Sequence, residues 1–219
     1  MSTVNLWDTY HLTLVRDNIA GGLPTDPRLI DAWQQARWSK AAKLLPEDPK
    51  TPAEAVENTL ELLPGVPEEA GWTTFARDPA GHLCLEGRQV KAALKESANV
   101  LKGLLPVNGK VIPLRSKLAE RVFVKERLLP LLRDGRPLTE PDGTVERPIH
   151  VMTAQGPRSA LKRADVCNEV YVECTLVVVR DGLVTEPMLR TLLDHIDENG
   201  LGADRSQGYG VGSYTLTKH

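Results

Sequence analysis

The stretch GLGADRSQGYG near the end of the printed sequence holds four glycines within eleven residues: Gly200, Gly202, Gly208 and Gly210. Glycine adopts positive φ and lets another backbone approach closely, so such a cluster is typical of a tight turn or of a ligand cradle. In a cradle, backbone N–H groups without obstructing side chains would receive an anion such as a phosphate. Arg205 and Ser206 would add a cation and a hydroxyl donor. The alternative is a helix-to-strand connection in which the glycines only supply the backbone geometry.

Basic residues in two other segments suit the same chemistry. Lys91 and Lys95 lie one turn apart in a predicted helix. A short polar stretch farther along the chain contains Arg158, Lys162 and Arg163. Such side chains bind phosphates without reading sequence. The net charge is only −2, but the charges are segregated: residues 45–86 hold nine acidic and two basic residues, and residues 88–133 hold eleven basic and three acidic. This asymmetry favours an anionic partner. Mutual neutralisation of the two segments, or a solvated loop at 158–163, is the alternative.

Acid–base chemistry has two candidate residues, His11 and Asp26. Metal-independent RNA cleavage uses groups such as histidine near the 2′-hydroxyl, and His11 lies at the start of the first predicted strand. Asp26 precedes Pro27 in a glycine-rich loop, where it also fits the role of a helix cap. The sequence contains no Ser/His/Asp, HExxH or P-loop pattern.

Other classes of protein fit the composition less well. Three cysteines without CxxC spacing argue against a disulfide framework or a zinc site. No run reaches the roughly 18 apolar residues that a membrane span needs. The first residues do not resemble a signal peptide. We therefore expect a reduced cytoplasmic protein without a cofactor, a metal or a membrane partner.

The elements that must position these residues fall into two similar halves. The first half has a strand at Tyr10–Val15, a helix at Arg88–Leu101 and a strand at Lys110–Leu114. The second has a long β-rich run from residue 168, a helix with Thr185 as its cap, and a final strand after the glycines. Two β-α-β halves predict an α+β fold with a ferredoxin-like or RRM-like core, an antiparallel sheet with helices on one face. Large insertions interrupt this core. Between the strand and the helix of the first half, the stretch WTTFARDPAGHLCLEG predicts a β-hairpin.

In general form the glycine stretch is G-h-G-x-x-x-x-x-G-h-G, where h is apolar or aromatic. Placed after a helix and before a terminal strand, it resembles the glycine-rich loop of the repeat-associated mysterious protein (RAMP) superfamily, the RNA-binding proteins of CRISPR systems. A second segment, Leu83–Leu101, resembles the strand-to-helix part of CRISPR effector backbone subunits. There a glycine precedes a lysine-bearing helix, as Gly87 and Lys91 do here.

The resemblance implies a single RAMP-like domain over residues 1–219. The spacing of apolar residues predicts a helical insertion at 27–70, and a second insertion at 116–165 includes the stretch that resembles the family's thumb. It implies a cytoplasmic, antiviral ribonucleoprotein in which repeating copies coat a guide RNA. The partners would be other effector subunits and a complementary target, RNA or DNA. Asp26 would occupy a loop like the one that carries a catalytic aspartate in some family members, and the Arg158–Arg163 stretch would belong to the thumb.

Two alternatives to guide binding stay open. One is a RAMP-family endoribonuclease that processes or cleaves RNA with His11 or Asp26. The other is a nonenzymatic protein–protein module in which the glycine stretch is only a turn. We expect a binding role rather than an enzyme.

Overall fold

The computed structural model describes residues 6–25, 72–105, 113–153 and 156–219. The chain divides into two compact units. Unit 1 comprises Met1–Ile19, Ala76–Glu140 and Cys167–His219, and unit 2 comprises Ala20–Phe75 and Pro141–Val166. The helical insertion predicted at 27–70 lies outside the described residues, and the single domain over 1–219 stays a prediction.

In the described residues the strands are β1 Trp7–Ala20, β2 Leu23–Pro24, β3 Trp72–Thr74, β4 Ala76–Arg77, β5 Leu83–Glu86, β6 Val122–Val124, β7 Leu128–Pro130, β8 Leu132–Arg133, β9 Arg136–Pro137, β10 Gly143–Thr153, β11 Gly156–Val179 and β12 Gly212–Lys218. The helices are α1 Gly87–Val100, α2 Leu114–Arg121 and α3 Glu186–Asn199, with a 3₁₀ turn at Arg205–Gln207. None of the described helices is long and apolar enough to cross a membrane.

The main sheet of unit 1 has the strand order β12-β1-β11-β6. Strand β12 runs antiparallel to β1, and β6 runs antiparallel to β11, with Phe123 opposite Val177. Along the chain these elements follow as β1-α1-β6 and β11-α3-β12. The outer strands of the sheet are therefore the last strand of each half, and the two first strands lie side by side. This is the ferredoxin-like arrangement that the two predicted halves require, and the α+β class is confirmed.

Alternation along the strands separates two faces of this sheet. Leu12, Leu14, Val172, Cys174 and Leu176 are buried, and Thr13, Glu173 and Thr175 between them are at least partly exposed. Helix α3 covers the buried face beside β12, because Tyr214 of β12 donates its hydroxyl hydrogen to Asp194 of α3 at 3.0 Å. We call the opposite side, which carries the intervening residues of β1, β11, β6 and β12, the open face.

Local signals explain where α1 begins and which side it buries. The side chains of Glu86 and Gln89 form a reciprocal capping box at its start. Gly87 is required there, since a Cβ would lie 2.1 Å from the carbonyl oxygen of Glu126. Val90 and Leu94 are buried one turn apart. The prediction of a helix at Arg88–Leu101 is thus confirmed to within one residue at each end.

Helix α3 also begins and ends as its sequence predicts. Thr185 is the N-cap residue and proline lies in the first turn. Gly200 ends the helix with φ of +84°. Helices α1 and α3 pack together, with Ser97 Oγ 2.9 Å from His195 Nδ1. His195 is therefore a packing residue.

The second strand of the first half is not where the sequence predicted it. Leu114, the end of the strand expected at Lys110–Leu114, is instead the first residue of α2. Residues 106–112 lie outside the described part of the chain. The strand that pairs with β11 is β6, at Val122–Val124. Leu114 and Leu118 are buried one helical turn apart, which favours a helix before the β-prone Val-Phe-Val.

Besides the short β8–β9 hairpin, in which Arg133 pairs with Arg136, two further hairpins lie in the described residues. Strands β4 and β5 pair around the DPAG turn, which confirms the predicted hairpin, and β7 adds a third strand. In unit 2, β10 and β11 pair from Gly143 opposite Val166 to Thr153 opposite Gly156. Part of the predicted thumb-like segment at 116–165 is thus a long hairpin.

Candidate nucleic-acid interface

The glycine loop, residues 200–210, closes on itself. All four glycines have φ between +83° and +93°. The N–H of Leu201 donates to the carbonyl of Gly210 at 3.0 Å, which joins the two ends of the loop. A Cβ on Gly210 would lie 1.9 Å from the carbonyl oxygen of Leu201, and one on Gly200 would lie 2.3 Å from that of Tyr209. Close backbone packing therefore requires glycine at both ends of this loop.

Three glycine N–H groups of the loop donate to the protein's own carbonyls. Gly200 donates to Ile196 at 2.8 Å, Gly208 to Arg205 at 2.9 Å, and Gly210 to Asn18 at 2.9 Å. Gly202 and the exposed Ser206 complete the predicted set in this loop, and their role in RNA binding stays a prediction. The bonds that are formed fix the path of the backbone from α3 to β12.

Arg205 connects the glycine loop to α1. Its Nη1 lies 2.8 Å from an oxygen of Glu96, which is 109 residues earlier in the chain. Unit 1 thus brings together the two segments, 83–101 and 200–210, that the sequence singled out separately. Part of the charge of Arg205 is balanced by this carboxylate.

The two lysines of α1 differ in their surroundings. Lys91 Nζ donates to the carbonyl of Ala119 at 2.9 Å and lies 4.6 Å from the centroid of the Phe123 ring. Burial, with a smaller contribution from Lys95, lowers the pKa of Lys91. Both lysines are partly exposed, but the ammonium of Lys91 is bonded to Ala119, so Lys95 is the better placed of the two to meet a phosphate.

The hairpin of unit 2 carries the other predicted cations. The guanidinium carbon of Arg163 lies 3.9 Å from the ring centroid of Trp72, and its Nε lies 3.2 Å from Glu146. Lys162 is only 6% exposed, directly opposite Arg147 in the β10–β11 ladder. Arg158 pairs with Val151 in the same ladder. These positions lie in the β10–β11 ladder and not in an irregular loop, and their role in RNA binding stays a prediction.

His11 lies on the open face of the sheet in unit 1. Its Nε2 is 3.7 Å from a carboxylate oxygen of Glu173 and 3.5 Å from the hydroxyl of Thr13. The ring of His219 lies beside it, with 6.3 Å between centroids. Asp26, the other acid–base candidate, lies outside the described residues. The sequence did not indicate that two imidazoles and a carboxylate would meet, because their proximity depends on strand pairing.

A buried ion pair beneath these surfaces was missed at the sequence level. Arg16 is 1% exposed, and its Nη1 donates to Asp197 of α3 at 2.9 Å and to the carbonyls of Val15 and Ser213. Burial lowers the pKa of Arg16 and raises that of Asp197. The pair links β1, β12 and α3, which are the elements that flank the glycine loop. The burial of Arg16 could have been predicted from the sequence, since Arg16 follows the buried Leu12 and Leu14 at alternate positions of the same strand.

Among the described residues, no cluster of three or more His, Cys, Asp or Glu side chains could hold a metal ion. None of the three cysteines forms a disulfide, and all three are buried.

Comparison with known proteins gives a structural neighbour and no family. No protein-family model and no curated protein matches the chain. One similar solved chain comes from the cryo-EM structure of the Type III-B Cmr-beta bound to cognate target RNA, with 13% sequence identity and a TM-score of 0.47. The match covers 98% of this chain and 60% of the neighbour, so the chain spans less than two thirds of the neighbour's length.

Proposed function

We propose that this chain is a RAMP-type RNA-binding protein that holds a guide RNA by its phosphate backbone. The observation that carries the proposal is the contact between Arg205 and Glu96. It joins the glycine loop to helix α1, and these are the two segments that separately resemble parts of CRISPR effector backbone subunits. The ferredoxin-like strand order of unit 1 supports the same assignment, because the resemblance implied that fold.

Phosphate binding would use cations and donors spread over both units. The proposed contacts are Lys91, Lys95, Arg205, Ser206 and Gly202 in unit 1, and Arg158, Lys162 and Arg163 in the hairpin of unit 2. Gly208 and Gly210 would shape the loop around the phosphate, because their own N–H groups donate to the carbonyls of Arg205 and Asn18. Contacts of this kind supply affinity without sequence preference. A guide-holding protein needs that property, because base pairing between guide and target reads the sequence.

Repeating copies of the chain would coat the guide head to tail. Heterologous contacts that do not close generate an open filament. In the sequence, the acidic residues 45–86 and the basic residues 88–133 provide opposite charges for such contacts. The remaining partners would be other effector subunits and a complementary target strand, RNA or DNA.

The test begins with the protein purified at low salt. The ratio of absorbance at 260 and 280 nm, size-exclusion chromatography and sequencing of any bound nucleic acid are measured together. We expect nuclease-protected RNA of defined length in a species larger than the monomer. A monomer that is free of nucleic acid, and that binds no added single-stranded RNA, would contradict the proposal.

A charge-reversal pair tests the site itself. Lys95→Glu should weaken RNA binding and reduce the slope of log K against log salt concentration by about one. Arg136→Glu is the matched control, because Arg136 is exposed on the β8–β9 hairpin and its replacement changes the charge equally. Equal effects of the two variants would show that only net charge matters and that α1 is not part of the interface.

His11 and His219 favour a second candidate function, a metal-independent endoribonuclease. The neighbouring imidazoles of His11 and His219, with Glu173 beside His11, would provide a base that takes a proton from a 2′-hydroxyl and an acid that gives one to the leaving oxygen. Cleavage of labelled RNA in the presence of EDTA should then disappear in His11→Ala and in His219→Ala. Asp26→Ala is assayed alongside as the alternative, aspartate-dependent candidate. Undiminished cleavage in all three variants would eliminate this function.

A further inference from the structure

Two large aromatic side chains are exposed together on the open face of unit 1. Trp7 is 43% exposed and Phe123 is 40% exposed, and their ring centroids lie 6.0 Å apart with the planes at 79°. The chain has only ten aromatic residues, and its other phenylalanine, Phe75, is buried. Single exposed apolar residues are common on protein surfaces. An adjacent exposed pair in a chain with so few aromatic residues favours a ligand that packs against aromatic rings.

Cations lie near Phe123, one member of this aromatic pair. Lys91 Nζ lies 4.6 Å from the Phe123 ring centroid. Lys125 and Arg127 are exposed and follow Phe123 at alternate positions, and the N–H of Lys125 extends the pairing with β11 by donating to Thr175 at 3.1 Å. Lys125 is therefore on the same side of the chain as Phe123.

The acidic side chains near the pair are engaged elsewhere. A carboxylate oxygen of Glu126 accepts the N–H of Thr175 at 2.8 Å, which turns this side chain toward the sheet. Asp8 binds Arg180 and Lys218, at 2.6 Å and 3.0 Å. The charge presented beside the rings is consequently positive, which selects an anionic ligand with flat apolar groups.

We propose that Trp7 and Phe123 form a stacking platform for an unpaired base of single-stranded RNA, which lies on the face of one ring and against the edge of the other, with Lys91 and Lys125 beside the adjoining phosphates. This site deepens the proposed function and rests on it, since it adds a base contact to a protein otherwise assigned backbone contacts. Stacking on aromatic rings is tolerant of sequence because every base has a π face. A base already stacked inside a duplex has no free face, so the platform discriminates single strands from duplexes.

The test compares Phe123→Leu with Phe123→Tyr in the full chain. Binding of a fluorescein-labelled single-stranded RNA and of a duplex of the same length is followed by fluorescence anisotropy. Phe123→Leu should weaken single-strand binding about 5-fold or more, because it removes stacking while it keeps an apolar side chain. Phe123→Tyr should retain the wild-type affinity, and duplex binding should be the same in all forms. Val100→Thr, at an exposed position on α1, is the control for loss of surface apolarity.

A second variant, together with a folding control, distinguishes loss of the stacking contact from local misfolding. Trp7→Leu should reproduce the selective loss of single-strand binding, and circular dichroism melts confirm that each variant is folded. If wild-type protein binds single-stranded RNA and both leucine variants bind it equally well, the platform is wrong and the proposed function stands. If wild-type protein binds no RNA, both are wrong. If the leucine variants change only the sedimentation coefficient and leave RNA affinity intact, the aromatic pair is a protein contact and the platform is overturned.

Discussion

Replacing Gly210 by alanine should destabilise the protein far more than replacing Gly208. The two positions have nearly the same backbone conformation, with φ of +83° and +84°. They differ in the space available: a Cβ on Gly210 would lie 1.9 Å from the carbonyl oxygen of Leu201, whereas nothing lies within 4 Å of one on Gly208. The pair therefore separates the cost of positive φ from the cost of a steric overlap.

The magnitudes follow from these two costs. A left-handed conformation costs a residue with a Cβ about 1–2 kcal/mol. Alanine recovers about 0.4–1 kcal/mol of this by restricting the unfolded chain. Gly208→Ala should therefore lower the free energy of unfolding by about 0–1.6 kcal/mol. At Gly210 the backbone must also move, which adds about 1–3 kcal/mol, as overpacking does elsewhere.

Denaturant titration measures both variants against the wild type, with the m-value showing whether the same transition is followed. Thermal melts give a second readout, in which 1 kcal/mol corresponds to about 2–4 °C for a chain of this size. Gly210→Ala should thus melt several degrees below Gly208→Ala. Equal losses in the two variants would refute the reasoning, because they would show that the overlap at Leu201 is relieved without a measurable cost.

Three further predictions concern groups away from the loop. Asp197→Ala leaves the buried guanidinium of Arg16 without its carboxylate and should lower the free energy of unfolding by about 3–5 kcal/mol, whereas the double variant Arg16→Met/Asp197→Leu should be neutral or more stable in the same titration. Hydrogen bonds from Arg180 and then Lys218 lower the pKa of Asp8 below 3.8, so its contribution to stability is present above about pH 4 and is lost as the pH falls through the lower pKa of the folded state. Asp8→Asn should therefore be less stable than the wild type at neutral pH, and the difference between them should shrink in acid. Burial raises the pKa of Cys174 to about 12, so a thiol reagent at pH 8 should label it only after the protein unfolds, which mass spectrometry of the labelled peptide checks.

The sequence was most informative where local signals agree. Helix α3 has a threonine cap, a proline in its first turn and a glycine at its end, and all three lie where the pattern predicted. The secondary structure of the first half was harder to predict, because the apolar residues between Leu114 and Leu132 fit both helical and strand spacing. The first part of this segment forms helix α2, in which Leu114 and Leu118 are buried. The second part forms a strand, because Val122–Val124 pairs with β11. Neither contact is visible in a local window.

The candidate site was predictable by residue type and not by partner. Arg205 was identified as a cation, but its bond to Glu96 depends on the packing of two elements about a hundred residues apart. Likewise Lys91 was identified by its place in the helix, while its position over the Phe123 ring depends on the neighbouring β6. Long-range pairing sets the electrostatic environment of each group, and the sequence pattern contains no information on it.

Glycine variants alone cannot distinguish a glycine loop that only turns the chain from one that also binds phosphate. Alanine at Gly200 or Gly210 would disturb the backbone whatever the loop binds, since both Cβ atoms would overlap a carbonyl oxygen. Loss of RNA binding in such a variant would follow from either role. Ser206 is a better probe, because its side chain is exposed and its replacement by alanine leaves the glycine geometry intact. A loop that only turns the chain should tolerate Ser206→Ala without loss of RNA affinity. A loop that holds phosphate should lose affinity in that variant while its unfolding transition stays unchanged.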